Sequence, residues 1–183
     1  KPRGIAMPKR PPARIYHQDK ASSASALFQT RTKRRIRREV YRLIRRERPT
    51  QALKYISAKG QDRRLKAAET DFLKSLIARS YYIEGKIASS LKLAQEATRS
   101  RTLVPMSDWH AGLAAWRLGK SELATEHFAR LANTTTISAQ LRARASYWTA
   151  RGLREAGKIS EAEPYFKTAA ESGPYFYALL GMQ

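Results

Sequence analysis

The chain of 183 residues contains no cysteine. Disulfides, thiolate zinc sites and cysteine nucleophiles are therefore excluded, while the compartment stays open. Long apolar runs are also missing. None approaches the roughly 18 residues needed to cross a bilayer, although 42% of the residues are hydrophobic. Carboxylates are scarce: 15 Asp and Glu face 36 Lys and Arg, for a net charge of +21. The three histidines, His17, His110 and His127, have no metal-ligand spacing. No G-x-S-x-G, H-E-x-x-H or phosphate-binding glycine loop occurs. No metal, cofactor or catalytic residue is expected from these patterns. Glu122, Glu126, Glu161 and Glu163 lie among lysines and arginines and read as solvated or ion-paired helix faces.

The positive charge is unevenly placed. Residues 1–60 hold 18 basic and 3 acidic residues, and residues 61–183 hold 18 and 12. Residues 1–30 have no hydrophobic period. Pro2, Pro8, Pro11 and Pro12 break helix there, and Ser22, Ser23 and Ser25 add loop character. This segment reads as a disordered or extended basic leader, with local packing through Ile15, Tyr16, Leu27 and Phe28. The opening KPRGIAMPKRPPAR has no apolar stretch behind it and does not read as an export signal. A start at Lys1 points to a mature or processed form or a piece of a longer protein, which leaves room for a removed export signal.

Residues 31–48, RTKRRIRREVYRLIRRER, hold ten basic and two acidic residues. Ile36, Val40, Leu43 and Ile44 fall on one face of a helix. Arg34, Arg35, Arg38, Arg42 and Arg45 take other faces and form a candidate surface for an anionic partner. The same helix also reads as the first of a packed array, its arginines solvated or paired. Nucleic acid is the least favoured partner, because only Tyr41 could stack on bases.

Pro49 should end this helix and Thr50 cap the next, over QALKYISAK to Gly60. Asp62 should open a long helix reaching Gly85. From there a pattern recurs. Gly85-Lys86, Gly119-Lys120 and Gly157-Lys158 each precede an amphipathic stretch, and the glycines lie 34 and 38 residues apart. Each is preceded by a helix with aromatics on its apolar side: Phe72, Tyr81 and Tyr82, then Trp109 and Trp116, then Tyr147 and Trp148. A period of roughly 34 residues marks a helix-turn-helix array. The glycine takes a left-handed turn. Ala124 and Ala162 admit the neighbouring helix, and Phe128 and Phe166, four residues on, fill the layer between repeats. WRLGKSELATEHF matches a tetratricopeptide unit most closely. Thr102–Ser107 and Thr134–Thr136 read as turns between repeats, with Ser107 as a cap. The expected fold is all-α, a superhelical array over residues 31–183, closed by Phe176, Tyr177 and Leu179/Leu180 after Pro174.

The stretch from Ala143 to Met182, ARASYWTARGLREAGKISEAEPYFKTAAESGPYFYALLGM, resembles the helical region of soluble lytic murein transglycosylases. The matching residues are Tyr147-Trp148, Ala150-Arg151, Gly157, Ala162 with Phe166, Ala169-Ala170, Pro174, Phe176-Tyr177 and Leu180; Ala178 stands where that family usually has glycine. The resemblance is good over residues 107–183, weaker over 61–106 and absent from the leader. It implies a superhelical module in the bacterial periplasm. In that family the module precedes a lysozyme-like domain that cleaves peptidoglycan to a 1,6-anhydro product with one Glu as acid and base. It also implies peptidoglycan glycan strands or a protein as partner. Glu171-Ser172 and Gly181-Met182-Gln183 echo that domain's motifs, but Glu171 and Gln183 are only 12 apart. Glu171 is read as the end of a repeat helix and not as a catalytic acid.

Overall fold

The computed structural model describes residues 26–171 apart from 59 and 61. The leader up to residue 25 and the closing residues Phe176, Tyr177, Leu179 and Leu180 lie outside the described residues. The described chain is all-α. Its helices are α1 (Arg31–Arg45), α2 (Pro49–Ser57), α3 (Ala67–Ile83), α4 (Ile87–Ala97), α5 (Met106–Arg117), α6 (Ser121–Ala132), α7 (Ala139–Glu155) and α8 (Ile159–Glu171). Each helix packs on the next in sequence, and α3 also meets α1 and α5.

The helices pair into hairpins whose turns share one hydrogen-bond pattern. After α3, the Gly85 N–H donates to Tyr82 O at 3.1 Å and the Lys86 N–H to Tyr81 O at 2.9 Å. Gly119 and Lys120 repeat this on Trp116 and Ala115, and Gly157 and Lys158 on Arg154 and Leu153. This is the Schellman closure, which satisfies otherwise orphaned carbonyls and needs a residue at positive φ. Gly85, Gly119 and Gly157 have φ of 80°, 73° and 76°.

The turn from α1 to α2 uses the same closure without glycine. Glu47 has φ 57°, and Glu47 and Arg48 donate to Ile44 O and Leu43 O. α1 and α2 thus form a fourth hairpin. A Cβ at Gly119 would meet no atom within 4 Å, so a substitution there is penalised by conformation and not by crowding. Gly119→Ala is therefore expected to lower stability by about 1 kcal/mol, and Glu47→Gly to raise it by a similar amount. Urea unfolding of the two variants checks this, and a shift of the same sign in both would contradict it.

Several helix starts differ from the sequence expectation. Pro49 is the first residue of α2, and Arg48 takes the cap position. Thr50 instead receives a hydrogen bond from the Tyr81 hydroxyl at 3.1 Å. The long helix before Gly85 begins at Ala67, after a 3-10 turn at Asp62–Arg64. Leu65 in that gap is buried, and the Glu69 carboxylate accepts the Lys66 N–H at 2.7 Å. Ser107 lies inside α5, where its hydroxyl turns back to Val104 O at 2.7 Å, and Pro105 is the cap.

The core runs continuously through the hairpins. Ile36, Val40, Ile56, Leu73, Ile77, Phe128 and Leu131 are all at most 2% exposed. Phe28, ahead of α1, is also buried and meets Phe72 edge-on at 5.5 Å. Small residues set the closest approaches. A Cβ on Gly112 of α5 would stand 2.5 Å from the Phe128 ring, and one on Gly152 of α7 would stand 2.0 Å from Thr125 Oγ1. Ala124, Ala162 and Ala169 are buried where neighbouring helices come together.

Candidate functional site: two arginine-bearing faces

The first face belongs to α1. At 100° per residue, Arg31, Arg34, Arg35, Arg38, Arg42 and Arg45 fall within a sector of about 100°, opposite Ile36, Val40 and Leu43. Those three apolar residues are buried, as their spacing predicts. Arg34, Arg35, Arg38 and Arg45 are exposed. Arg34 donates to Gln29 O at 2.8 Å. Arg42 is different, because it forks onto Glu39, with Nε to Oε2 at 2.8 Å and a second bond from the guanidinium to Oε1. That hydrogen bond holds the Glu39 carboxyl below its ordinary range. Arg42 is thereby partly neutralised, and the remaining positive face is carried by the other arginines. Lys33 points away from it and bridges to Glu69 of α3 at 2.7 Å.

The second face runs along α3, α5 and α7, the first helices of their hairpins. Arg117 stacks over Tyr82, Arg144 over Trp109 and Arg151 over Trp116, at 5.4, 5.1 and 5.2 Å. The Ser75 hydroxyl meets His110 Nδ1 at 3.0 Å. In all four pairs the partners are 35 positions apart. α3, α5 and α7 therefore lie parallel and in register, each one unit further along the chain. Stacking occupies the guanidinium face; Arg117 is exposed, Arg151 Nε donates to Glu155 at 3.2 Å, and Arg144 Nε is buried. Trp148 extends the aromatic layer, with Trp116 at 5.1 Å and Phe128 at 5.8 Å. Tyr147 bridges Trp148 and Phe166, each at 6.2 Å.

Two buried aspartates hold the loop between α4 and α5. Asp71 accepts Arg99 Nε at 2.7 and 3.0 Å and the Ser100 hydroxyl at 2.5 Å. Asp108 accepts Arg101 Nε at 2.9 Å and His127 Nδ1 at 2.8 Å. The Asp108–His127 pair has the outline of a proton relay. However, His127 Nε2 is buried with no hydrogen-bond partner among the described residues, so no nucleophile stands on it. The pair is a structural clamp. Among the described residues no group of three or more His, Asp or Glu is placed to hold a metal ion. No helix there is long and apolar enough to cross a membrane.

Of the residues singled out from sequence, Gly85, Gly119 and Gly157 form the turns. Ala124, Phe128, Trp116, Tyr147, Trp148, Ala162 and Phe166 belong to the layers between helices. Glu126 pairs with Arg130 at 3.1 Å and Glu161 approaches Lys158 at 3.9 Å, on exposed surfaces. Sequence reasoning missed Asp71, Asp108 and the three stacked arginines. The signal for the arginines was present, since superposing the chain on itself with a 35-residue shift sets arginine against aromatic three times. Comparison with known proteins adds no relative, as no family model, curated protein or solved structure matches the chain.

Proposed function

We propose that this chain is a non-catalytic helical scaffold, a tetratricopeptide-like superhelical array of the kind that precedes the catalytic domain of soluble lytic murein transglycosylases. It would act in the bacterial periplasm, guiding peptidoglycan glycan strands or docking a partner protein. The observation that carries this reading is the constant 35-residue register between α3, α5 and α7. Equal offsets between successive first helices are what stacking of one repeated unit produces. The stacked arginines supply a ligand chemistry. Of these, Arg117, exposed and with no ion pair among the described residues, suits the carboxylates of peptidoglycan stem peptides and muramic acid.

The Tyr-Trp pair, the glycine turn and the A-x3-F helix that carry the family resemblance all fall in the α7–α8 hairpin. Their contacts there are structural, which agrees with a scaffold and not a reaction centre. The test is cosedimentation of the purified chain with isolated peptidoglycan, beside an unrelated helical protein of equal net charge. Retention well above the control is expected. Equal retention would remove the glycan-guiding role and leave a repeat scaffold for a protein partner, which the same architecture serves.

A further inference from the structure

We infer that the outward face of α1 docks the chain on a phospholipid surface bearing anionic headgroups, as a peripheral contact that does not insert. This inference is independent of the scaffold reading, because it concerns a different helix and a different ligand.

Charge is sharply segregated. Residues 31–66 hold 15 basic and 3 acidic residues, whereas residues 67–171 hold 15 and 11. The excess is concentrated on one end of the array. On α1, Arg31, Arg35, Arg38 and Arg45 are exposed and make no ion pair among the described residues. Like charges on one helix face repel, and within the described fold only Arg42, through Glu39, has an ion pair on this face. A stripe of guanidinium groups about 20 Å long is thus held ready for an external anion. Arginine is the side chain best matched to phosphate, which it can grip with two parallel N–H bonds.

The geometry favours a headgroup plane over nucleic acid. Ile36, Val40 and Leu43 are already buried within the protein, so α1 has no apolar face left to sink into lipid. It is braced against α2 and α3, which limits entry into a duplex groove about 12 Å wide. Its exposed positions on this face are arginines, with Thr32 beside them, and the one ring at its edge, Tyr41, is half-buried and poorly placed for base stacking. A flat phosphate layer meets every arginine of the stripe at once. Each cation brought to such a surface strengthens partitioning by about fivefold.

The experiment uses the full chain with phosphatidylcholine vesicles, with and without phosphatidylglycerol, and a fluorescent DNA duplex. One variant, R31Q/R35Q/R38Q/R45Q, clears the face. A second, K92Q/K120Q/K158Q/K167Q, removes the same charge from the array, and R35Q/R38Q gives an intermediate step. All positions are exposed, and circular dichroism verifies the helices. The native chain should bind only vesicles with phosphatidylglycerol, and salt should release it. The face variant should lose at least about a hundredfold in partitioning, the double variant less, and the array variant little. Equal loss in both quadruple variants would overturn the inference, because net charge would then suffice. Face-dependent binding to the duplex without vesicle binding would overturn it in favour of nucleic acid.

Discussion

Replacing Phe128 by alanine is expected to lower the unfolding free energy by about 3–5 kcal/mol. Phe128 is fully buried in α6. Its ring meets Trp109 of α5 at 5.4 Å and Trp148 of α7 at 5.8 Å, so one side chain fills the layer shared by three helices. Large indoles cannot collapse into the space left behind, which places the cost toward the upper part of that range. Gly112 supplies an internal control. Alone, Gly112→Ala should destabilise by about 1–3 kcal/mol, because its new methyl group would lie 2.5 Å from the ring. In the Phe128→Ala background the clash disappears, and alanine's better helix propensity should make the same change neutral or stabilising by up to about 1 kcal/mol. Urea denaturation of the four proteins in this cycle measures the coupling. Additive effects would mean that the two positions do not share the packing described.

The second large effect is a loss of stability in acid that originates at His110. Burial, reinforced by the positive charges of Arg79 and Arg144, pushes the imidazole down to about 3, against a hydrogen bond to the Ser75 backbone that works the other way. In the folded chain it therefore stays neutral well below pH 6.5, the value at which the unfolded chain takes up a proton. The unfolded state then binds more protons, so stability falls as pH falls. The contribution is complete above about pH 6.5 and is lost progressively toward pH 3, with a limiting slope of about 1.4 kcal/mol per pH unit. His110→Gln keeps a group able to bond Ser75 but cannot titrate. Urea midpoints measured from about pH 7 to about pH 4 should drop more steeply for the native chain than for the variant. Parallel curves would show that His110 is not the origin.

Much of the fold was legible in sequence because the signals are local. The apolar spacing of Ile36, Val40 and Leu43 gave α1 its buried face. The glycines at 85, 119 and 157 marked turns because a left-handed residue is needed within two positions of each helix end. The break between α1 and α2 was legible from Pro49, but the closure at Glu47 was not, because it lacks the glycine that announces the other three. Ser107 and Thr50 were misread as caps because their hydroxyls have partners that local spacing does not reveal.

The candidate surfaces divide in the same way. A row of arginines on one side of α1 follows from helical period alone, so the sequence by itself determined which side faces outward. It also determined the all-α class and the three glycine-closed hairpins, since these depend on neighbours three to five positions apart. Only the tertiary structure decided that Asp71 and Asp108 are buried, and that Arg117, Arg144 and Arg151 lie on aromatic rings. A buried carboxylate is costly until a partner reaches it. For Asp71 that partner is Arg99, 28 positions away, and for Asp108 the partners are Arg101 and His127, 7 and 19 positions away. The stacked arginines likewise depend on rings 35 positions earlier, brought into reach only when successive hairpins pack in register.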